Sequence, residues 1–97
     1  EPSNIAAYER NGDLLYNGLL EAGFSCQKPQ GALYLVPQAL EADVRAFCER
    51  AKKYVLLLVP GSDFGCPGYC RAAYCSKEDT IRRSLPAFKK LAAEYGK

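Results

Sequence analysis

The chain has 97 residues, of which 48% are hydrophobic and 25% charged, and these proportions are ordinary for a single folded domain. A chain of this length buries about 60–70% of its unfolded surface, which is enough to form one core. The formal net charge is +2 with both signs interspersed, so we expect no nucleic-acid partner. No stretch approaches the roughly 18 uninterrupted apolar residues of a membrane span, so we expect no membrane partner.

The first predicted element is a helix over residues 3–22. Its apolar positions recur at spacings of three and four, and they are Ile5, Tyr8, Gly12, Leu15, Leu19 and Ala22. Ser3 is the predicted N-cap, and Gly23 is the predicted left-handed residue that ends the helix. Gly12 costs helix stability unless close packing requires it, so we expect the helix to approach the sheet at this residue.

Two short strands and a second helix follow. The predicted strands cover residues 24–28 and 32–36, and the three-residue break between them permits a hairpin-like reversal. Pro37 ends the second strand. The second helix is predicted over residues 41–54. Its inner face consists of Leu40, Val44, Phe47, Cys48 and Ala51.

The next predicted elements are two further strands. Five consecutive aliphatic residues occupy positions 55–59, and no polar residue among them marks a solvent side. They therefore predict a short strand buried on both faces. Pro60 ends this strand, and a loop of mostly small residues over 61–68 leads to another predicted strand over 69–75.

A third helix completes the chain, with Ser76 as its predicted N-cap. Its apolar positions are Ile81, Leu85, Phe88, Ala92 and Tyr95. Pro86 removes one helical hydrogen bond, which predicts a kink or a break near residues 82–85. The element order α-β-β-α-β-β-α predicts an α+β fold, in which helices pack on a small mixed or antiparallel sheet. The sequence does not determine the strand order.

Arg71 is the candidate functional residue. It is the one charged residue in the predicted strand 69–75. A guanidinium group is costly to bury without an anion, and its planar fork suits a carboxylate or a phosphate. Two structural alternatives are an arginine that reaches solvent from a strand end and one that pairs with a structural glutamate.

The five cysteines give little indication of a metal site. Cys26 and Cys48 fall on predicted core faces, where cysteine behaves as a small hydrophobic residue. Cys66, Cys70 and Cys75 are separated by three and then four residues, and the chain contains no histidine. This spacing is not that of common zinc sites, so we expect no metal ligand. With no charged and then apolar leader at the start, we expect a cytoplasmic protein with reduced thiols.

Several short motifs, taken together, resemble one family. Residues 59–65 read Val-Pro-Gly-Ser-x-Phe-Gly, and residues 68–74 read Gly-Tyr-x-Arg-x-Ala-Tyr. Residues 29–34 read Pro-x-Gly-Ala-x-Tyr, Thr-Ile follows at 80–81, and residues 83–88 read Arg-Ser-Leu-Pro-Ala-Phe. In this order the motifs resemble the small C-terminal domain of class I/II, fold-type I pyridoxal-phosphate-dependent aminotransferases of the aspartate and aromatic type. The resemblance covers essentially all 97 residues.

Four positions depart from the pattern of that family. Cys70 and Leu33 stand where aromatic residues are usual, and Ala72 stands where a larger aliphatic residue is usual. Gly12 replaces a charged helix residue. None of these departures removes the arginine, but they leave the substrate preference open.

The resemblance implies a function for the chain. The residue matching Arg71 binds the α-carboxylate of the amino-acid substrate in that family, and the small domain closes over a large domain of the same chain. The implied reaction transfers an amino group between an amino acid and a 2-oxo acid, in a homodimer. Pyridoxal phosphate is the implied cofactor, held by the large domain. The resemblance does not identify the two substrates, and it leaves a related lyase reaction open.

The chain does not begin with methionine, so we expect residues 1–97 to be a single small domain excised from a larger aminotransferase and inactive alone. We assign no catalytic, cofactor-binding or metal residue. Each lysine lies in a charged or exposed setting, and the loop after residue 60 lacks the ending of a phosphate loop. The alternative function is a free-standing α+β regulatory module that binds a small anion or carboxylate at Arg71. The residues that precede Glu1 in the gene would discriminate between the two.

Overall fold

The structure is a computed structural model that describes residues 5–29, 33–74 and 77–97. Within these ranges the helices are α1 (Ile5–Glu21), α2 (Val44–Ala51) and α3 (Glu78–Ala93). The strands are β1 (Cys26–Gln27), β2 (Tyr34–Pro37), β3 (Val59–Pro60) and β4 (Cys70–Ala73). Short 3-10 turns cover Lys52–Tyr54 and Gly61–Phe64. The predicted α+β fold and its element order are confirmed. No helix in the described ranges is long and apolar enough to cross a bilayer.

The strands form one antiparallel sheet in the order β1-β2-β4-β3. The first two strands are antiparallel neighbours, which confirms the hairpin-like reversal between them. In the centre of the sheet Leu35 lies opposite Ala72, and at its edge Val59 lies opposite Arg71. The edge strand β3 is therefore the direct neighbour of the strand that carries the candidate arginine.

The helices and one face of the sheet enclose a single core. Cys70 and Ala72 of β4 point into it and are almost completely buried. Because side chains alternate along a strand, Arg71 and Ala73 lie on the opposite face. The helical residues of the core are Leu15, Leu19, Phe47, Cys48, Ala51, Ile81, Phe88, Leu91 and Ala92. The fold thus places Arg71 on the face of the sheet that the helices leave open.

Helix α1 packs closely at Gly12 against the side chain of Tyr74, the residue that directly follows β4. A Cβ atom at this position would lie 2.7 Å from Cε1 of Tyr74, closer than real side chains come. Gly23 follows the helix with φ 101°, which confirms the predicted left-handed residue. Ser3 lies outside the described residues.

Helix α2 begins at Val44, three residues later than predicted. Asp43 has extended backbone angles, and its carboxylate accepts a hydrogen bond from the Ala46 N–H at 3.1 Å. This N-cap satisfies one of the first N–H groups of the helix and fixes its start. The predicted last turn is the 3-10 turn Lys52–Tyr54.

The prediction of a strand buried on both faces over 55–59 is wrong. Regular pairing covers Val59–Pro60, and the side chains before it alternate in exposure. Val55 and Leu57 are 86% and 80% exposed, whereas Leu56 and Leu58 are buried. The segment lies at the sheet edge with helices on one side, so half of its side chains face outward. An uninterrupted aliphatic run does not reveal this by itself.

The end of the chain differs from the prediction in detail. Strand β4 ends at Ala73, and Tyr69 forms an isolated bridge with Gln38. Lys77 is the N-cap residue of α3, so the assignment of Ser76 is wrong. Ser76 and Cys75 lie outside the described residues. Helix α3 continues through Pro86, so a break does not occur. A kink remains a prediction.

A charged cluster connects the end of α3 to the 3-10 turn after α2. The Glu94 carboxylate accepts hydrogen bonds from Tyr54 and Arg50, and the Lys53 ammonium lies 2.9 Å from it. The Tyr54 hydrogen bond, followed by that of Lys53, lowers the pKa of Glu94 to about 2. These contacts join the C-terminal end of α3 to α2 and to the 3-10 turn that follows it.

Candidate anion-binding site at Arg71

The sheet presents Arg71 on its open face, where the side chain is half-buried. Val59 lies opposite it on β3 and is 37% exposed, and Ala73 follows on the same face of β4 and is also exposed. The exposed loop residues Ser62, Asp63, Gly65 and Pro67 lie in the segment that joins β3 to β4. The surface around the arginine is therefore mixed apolar and polar.

Two aromatic rings contact the Arg71 guanidinium. Its carbon atom lies 5.2 Å from the centroid of the Tyr34 ring and 5.0 Å from the centroid of the Phe64 ring. Both distances fall in the range of cation–π attraction. A ring face attracts the positive charge but accepts no strong hydrogen bond. The rings therefore orient the guanidinium while its N–H groups keep their capacity to bind an anion.

No carboxylate among the described residues pairs with Arg71 within 4 Å. Asp63, the acidic residue of the adjoining loop, instead lies 2.8 Å from an Arg45 guanidinium nitrogen. In the described part of the chain, the alternative of a structural glutamate partner thus finds no support. A half-buried guanidinium without an internal carboxylate favours an external anion.

The loop between β3 and β4 is shaped by Gly61. A side chain at this position would overlap the carbonyl oxygens of Cys66 and Tyr69. The Gly61 N–H donates to the Tyr69 carbonyl at 2.6 Å, and the Cys66 N–H donates to the Gly61 carbonyl at 2.7 Å. This tight return of the backbone places Phe64 against Arg71.

Sequence reasoning identified Arg71 but did not identify its aromatic neighbours. Tyr34 comes from β2 and Phe64 from the 3-10 turn, so their meeting depends on the strand order. One indication of such a neighbour was present in the sequence: Phe64 is an aromatic residue in a loop of mostly small residues, and this loop precedes the strand that carries Arg71.

The groups at this site are suited to binding a ligand. Cys70 precedes Arg71 but faces the core, and burial raises the pKa of its thiol, which therefore stays neutral. All seven lysines of the chain are exposed. In the described ranges no group of three or more cysteine and acidic side chains could hold a metal ion.

Comparisons with known proteins agree with one another. The family model described as aminotransferase class I and II matches residues 2–88. Aspartate aminotransferase of Geobacillus stearothermophilus is 36% identical over an alignment of 88 positions, which covers 81% of this chain and 22% of that relative. Aspartate/prephenate aminotransferase of Thermus thermophilus is 36% identical over an alignment of 89 positions, which covers 88% of this chain and 23% of that relative.

Solved structures show the same similarity. An aminotransferase from Eubacterium rectale superposes with a TM-score of 0.92 and 48% identity, covering 97% of this chain and 24% of that one. Aspartate aminotransferase from Thermus thermophilus with maleate gives a TM-score of 0.83 and 32% identity, and the match covers 89% of this chain and 23% of that one. The chain thus spans about a quarter of the length of the relatives that it matches.

Proposed function

The chain belongs to the family of class I and II aminotransferases, and from this membership we propose that it is the small, substrate-closing domain of a longer amino-acid aminotransferase. The proposed enzyme is cytoplasmic and homodimeric, and it transfers an amino group between an amino acid and a 2-oxo acid. The matched relatives are about four times as long as this chain, which supports a remaining large domain. Alone, these 97 residues are expected to be inactive.

Arg71 is the proposed ligand of the substrate α-carboxylate. The observation that carries this proposal is a half-buried guanidinium, contacted by two rings and paired with no carboxylate of the described chain. A bidentate pair would fix the substrate and direct its amino group, which is catalysis by positioning. The similar Thermus thermophilus enzyme was solved with maleate, a dicarboxylate, and this supports carboxylate recognition.

Pyridoxal phosphate is the proposed cofactor, and it supplies the electron sink for amino-group transfer when bound. The described residues do not fit a site for it. Every lysine is exposed, and the Gly61–Phe64 turn opens no long helix on which a phosphate could rest. We therefore assign the cofactor to the large domain, and the contribution of these residues is substrate binding and closure.

The test is steady-state kinetics of the longer protein with Arg71→Ala. We expect kcat/KM for amino acids to fall at least tenfold, a loss of about 1.4 kcal/mol of transition-state stabilisation. Arg82→Ala is the matched control, because Arg82 is an exposed arginine on α3 that pairs with Glu78 at 2.7 Å. The control should retain wild-type kinetics. Unchanged kinetics in the Arg71 variant would refute the role.

The alternative of a free-standing anion-binding module predicts another outcome. The longer protein would then show no amino-group transfer, while anions would still bind at Arg71 and Arg71→Ala would abolish this binding. Calorimetry with a small dicarboxylate, run beside the transamination assay, separates the two functions.

A further inference from the structure

An acidic residue adjoins the Arg71 site. Asp63 directly precedes Phe64, whose ring centroid lies 5.0 Å from the guanidinium carbon of Arg71. The Cα atoms of consecutive residues are about 3.8 Å apart, so the Asp63 carboxylate is attached close to the guanidinium. Arginine and a carboxylate form strong charge-assisted pairs. A free Asp63 would therefore compete with any substrate carboxylate that approaches Arg71.

Asp63 is held by Arg45 instead. Nη2 of Arg45 donates a hydrogen bond to Oδ1 of Asp63, and the two atoms are 2.8 Å apart. Neither residue has another ion pair within 4 Å in the described ranges. A 3-10 turn has about three residues per turn, so consecutive side chains point about 120° apart. The turn thus directs Phe64 toward Arg71 and Asp63 toward α2.

The position of Arg45 is unfavourable within its own helix. Asp43 is the N-cap of α2, and Arg45 is the second residue of the helix. The N-terminal end of a helix carries a partial positive charge, which disfavours a cation in the first turn. The side chain is also 69% exposed, so it contributes little to the core. A natural sequence breaks such a local rule mainly where the residue serves another purpose, and the ion pair of Arg45 is with Asp63.

The strength of this pair sets the size of the effect. The two side chains are 69% and 46% exposed, and an exposed ion pair favours the paired state by a factor of about 2–5. If Asp63 turned to Arg71 with the same preference, the guanidinium would be free only about one third to one sixth of the time. The dissociation constant of an external anion rises by the reciprocal of the free fraction, which is about 3–6-fold.

We propose that Arg45 is a positioning residue that holds Asp63 away from Arg71 and so keeps the guanidinium open for the substrate carboxylate. This inference rests on the proposed function, since it concerns the same carboxylate. Arg45 acts only through Asp63, so its effect must disappear when the charge of Asp63 is removed. A pair that merely supports the loop would behave differently, because the loss of either partner would then weaken the site.

The first test is calorimetry of maleate binding to the longer protein. We expect Arg45→Ala to raise the Kd of maleate about 3–6-fold, and Asp63→Asn in that variant to restore the wild-type Kd. Asp63→Asn alone should leave the Kd unchanged, because Arg45 already keeps this carboxylate away from the site. Arg82→Ala is the control for the loss of one positive charge, and it should also leave the Kd unchanged.

Three results would overturn the proposal. The first is an unchanged Kd in Arg45→Ala. The second is a raised Kd that Asp63→Asn does not restore, which would mean that the pair only supports the loop. The third is an equal effect of Asp63→Asn with and without Arg45, which would mean that net charge alone sets the affinity.

Steady-state kinetics of the same samples separates this inference from the proposed function. In an active enzyme, Arg45→Ala should raise KM for the amino acid about 3–6-fold and leave kcat unchanged, because saturating substrate displaces Asp63. An unchanged KM, while Arg71→Ala still lowers kcat/KM, would refute only the role of Arg45. A protein that transfers no amino group but shows the expected pattern of maleate binding would refute only the enzyme.

Discussion

Gly61→Ala should strongly destabilise the chain. The added Cβ would overlap two backbone carbonyl oxygens, those of Cys66 and Tyr69, and neither can rotate away as a flexible side chain could. Relief requires the loop to open and to weaken the hydrogen bonds from the Gly61 N–H to Tyr69 and from the Cys66 N–H to Gly61. Two such bonds contribute about 1 kcal/mol each, and the overlap adds about 1–2 kcal/mol, so we expect a loss of about 3 kcal/mol.

Gly65→Ala is the matched control in the same loop. Gly65 has φ 84°, but a Cβ there would meet no atom within 4 Å. The free energy of unfolding should therefore fall only by the cost of placing a Cβ atom on a left-handed backbone, about 1 kcal/mol. Urea denaturation of the wild type and both variants measures the two values. A Gly61→Ala loss no larger than that of Gly65→Ala would refute the argument that close backbone contact fixes this loop.

The same Gly61→Ala variant also tests the link from loop to site. If the loop opens, Phe64 leaves the guanidinium of Arg71, which it now approaches to 5.0 Å from the ring centroid. The ring current of Phe64 would then no longer act on the Arg71 side chain. We expect the NMR signal of the Arg71 Nε–H to move in Gly61→Ala and to stay in place in Gly65→Ala. An unmoved signal in a destabilised Gly61→Ala variant would contradict the link.

Three further predictions concern single side chains. Val55→Gly should raise the free energy of unfolding by about 0.5–1 kcal/mol, because glycine adopts the left-handed backbone without strain and the exposed valine side chain contributes little burial. Urea denaturation measures this change, and a lower urea midpoint in the variant would contradict the prediction. The pKa of Glu94 is lowered from an ordinary 4.5 to about 2, chiefly by the Tyr54 hydrogen bond, so its stabilising contribution is present above pH 4.5 and disappears as the pH falls toward 2. Glu94→Gln should flatten the pH dependence of the urea midpoint in that window, and an unchanged slope would be inconsistent with the lowered pKa. Phe64→Leu removes one cation–π contact with Arg71, so kcat/KM of the longer enzyme should fall about 2–5-fold, and no change would mean that the ring does not orient the arginine.

Much of the helical structure could be predicted from the sequence, because the regular spacing of apolar residues in the helices extends over many positions. Helices α1 and α3 show apolar positions over four or more turns, and Gly23 marks the end of the first. Segment 55–59 was misassigned because a short aliphatic run looks the same whether one face or both are covered. Helix α2 starts at Val44 because Asp43 is its N-cap, with a carboxylate that accepts a hydrogen bond from the Ala46 N–H.

The candidate site was predictable in part. Arg71 stands out because it is one charge among uncharged strand residues, and this observation needs no knowledge of the fold. Its contacts with Tyr34 and Phe64 depend on β2 and β4 being neighbours and on the tight return at Gly61. Neither condition can be read from local sequence, since strand order is set by packing of the whole chain.

The central claim concerns what Arg71 binds, and a matched pair of substrates tests it most directly. The longer enzyme is assayed with an amino acid and with the amine that lacks only its α-carboxylate. If Arg71 pairs with that carboxylate, Arg71→Ala should lower kcat/KM at least tenfold for the amino acid and leave the low value for the amine unchanged. An equal fall for both substrates would contradict carboxylate recognition by Arg71.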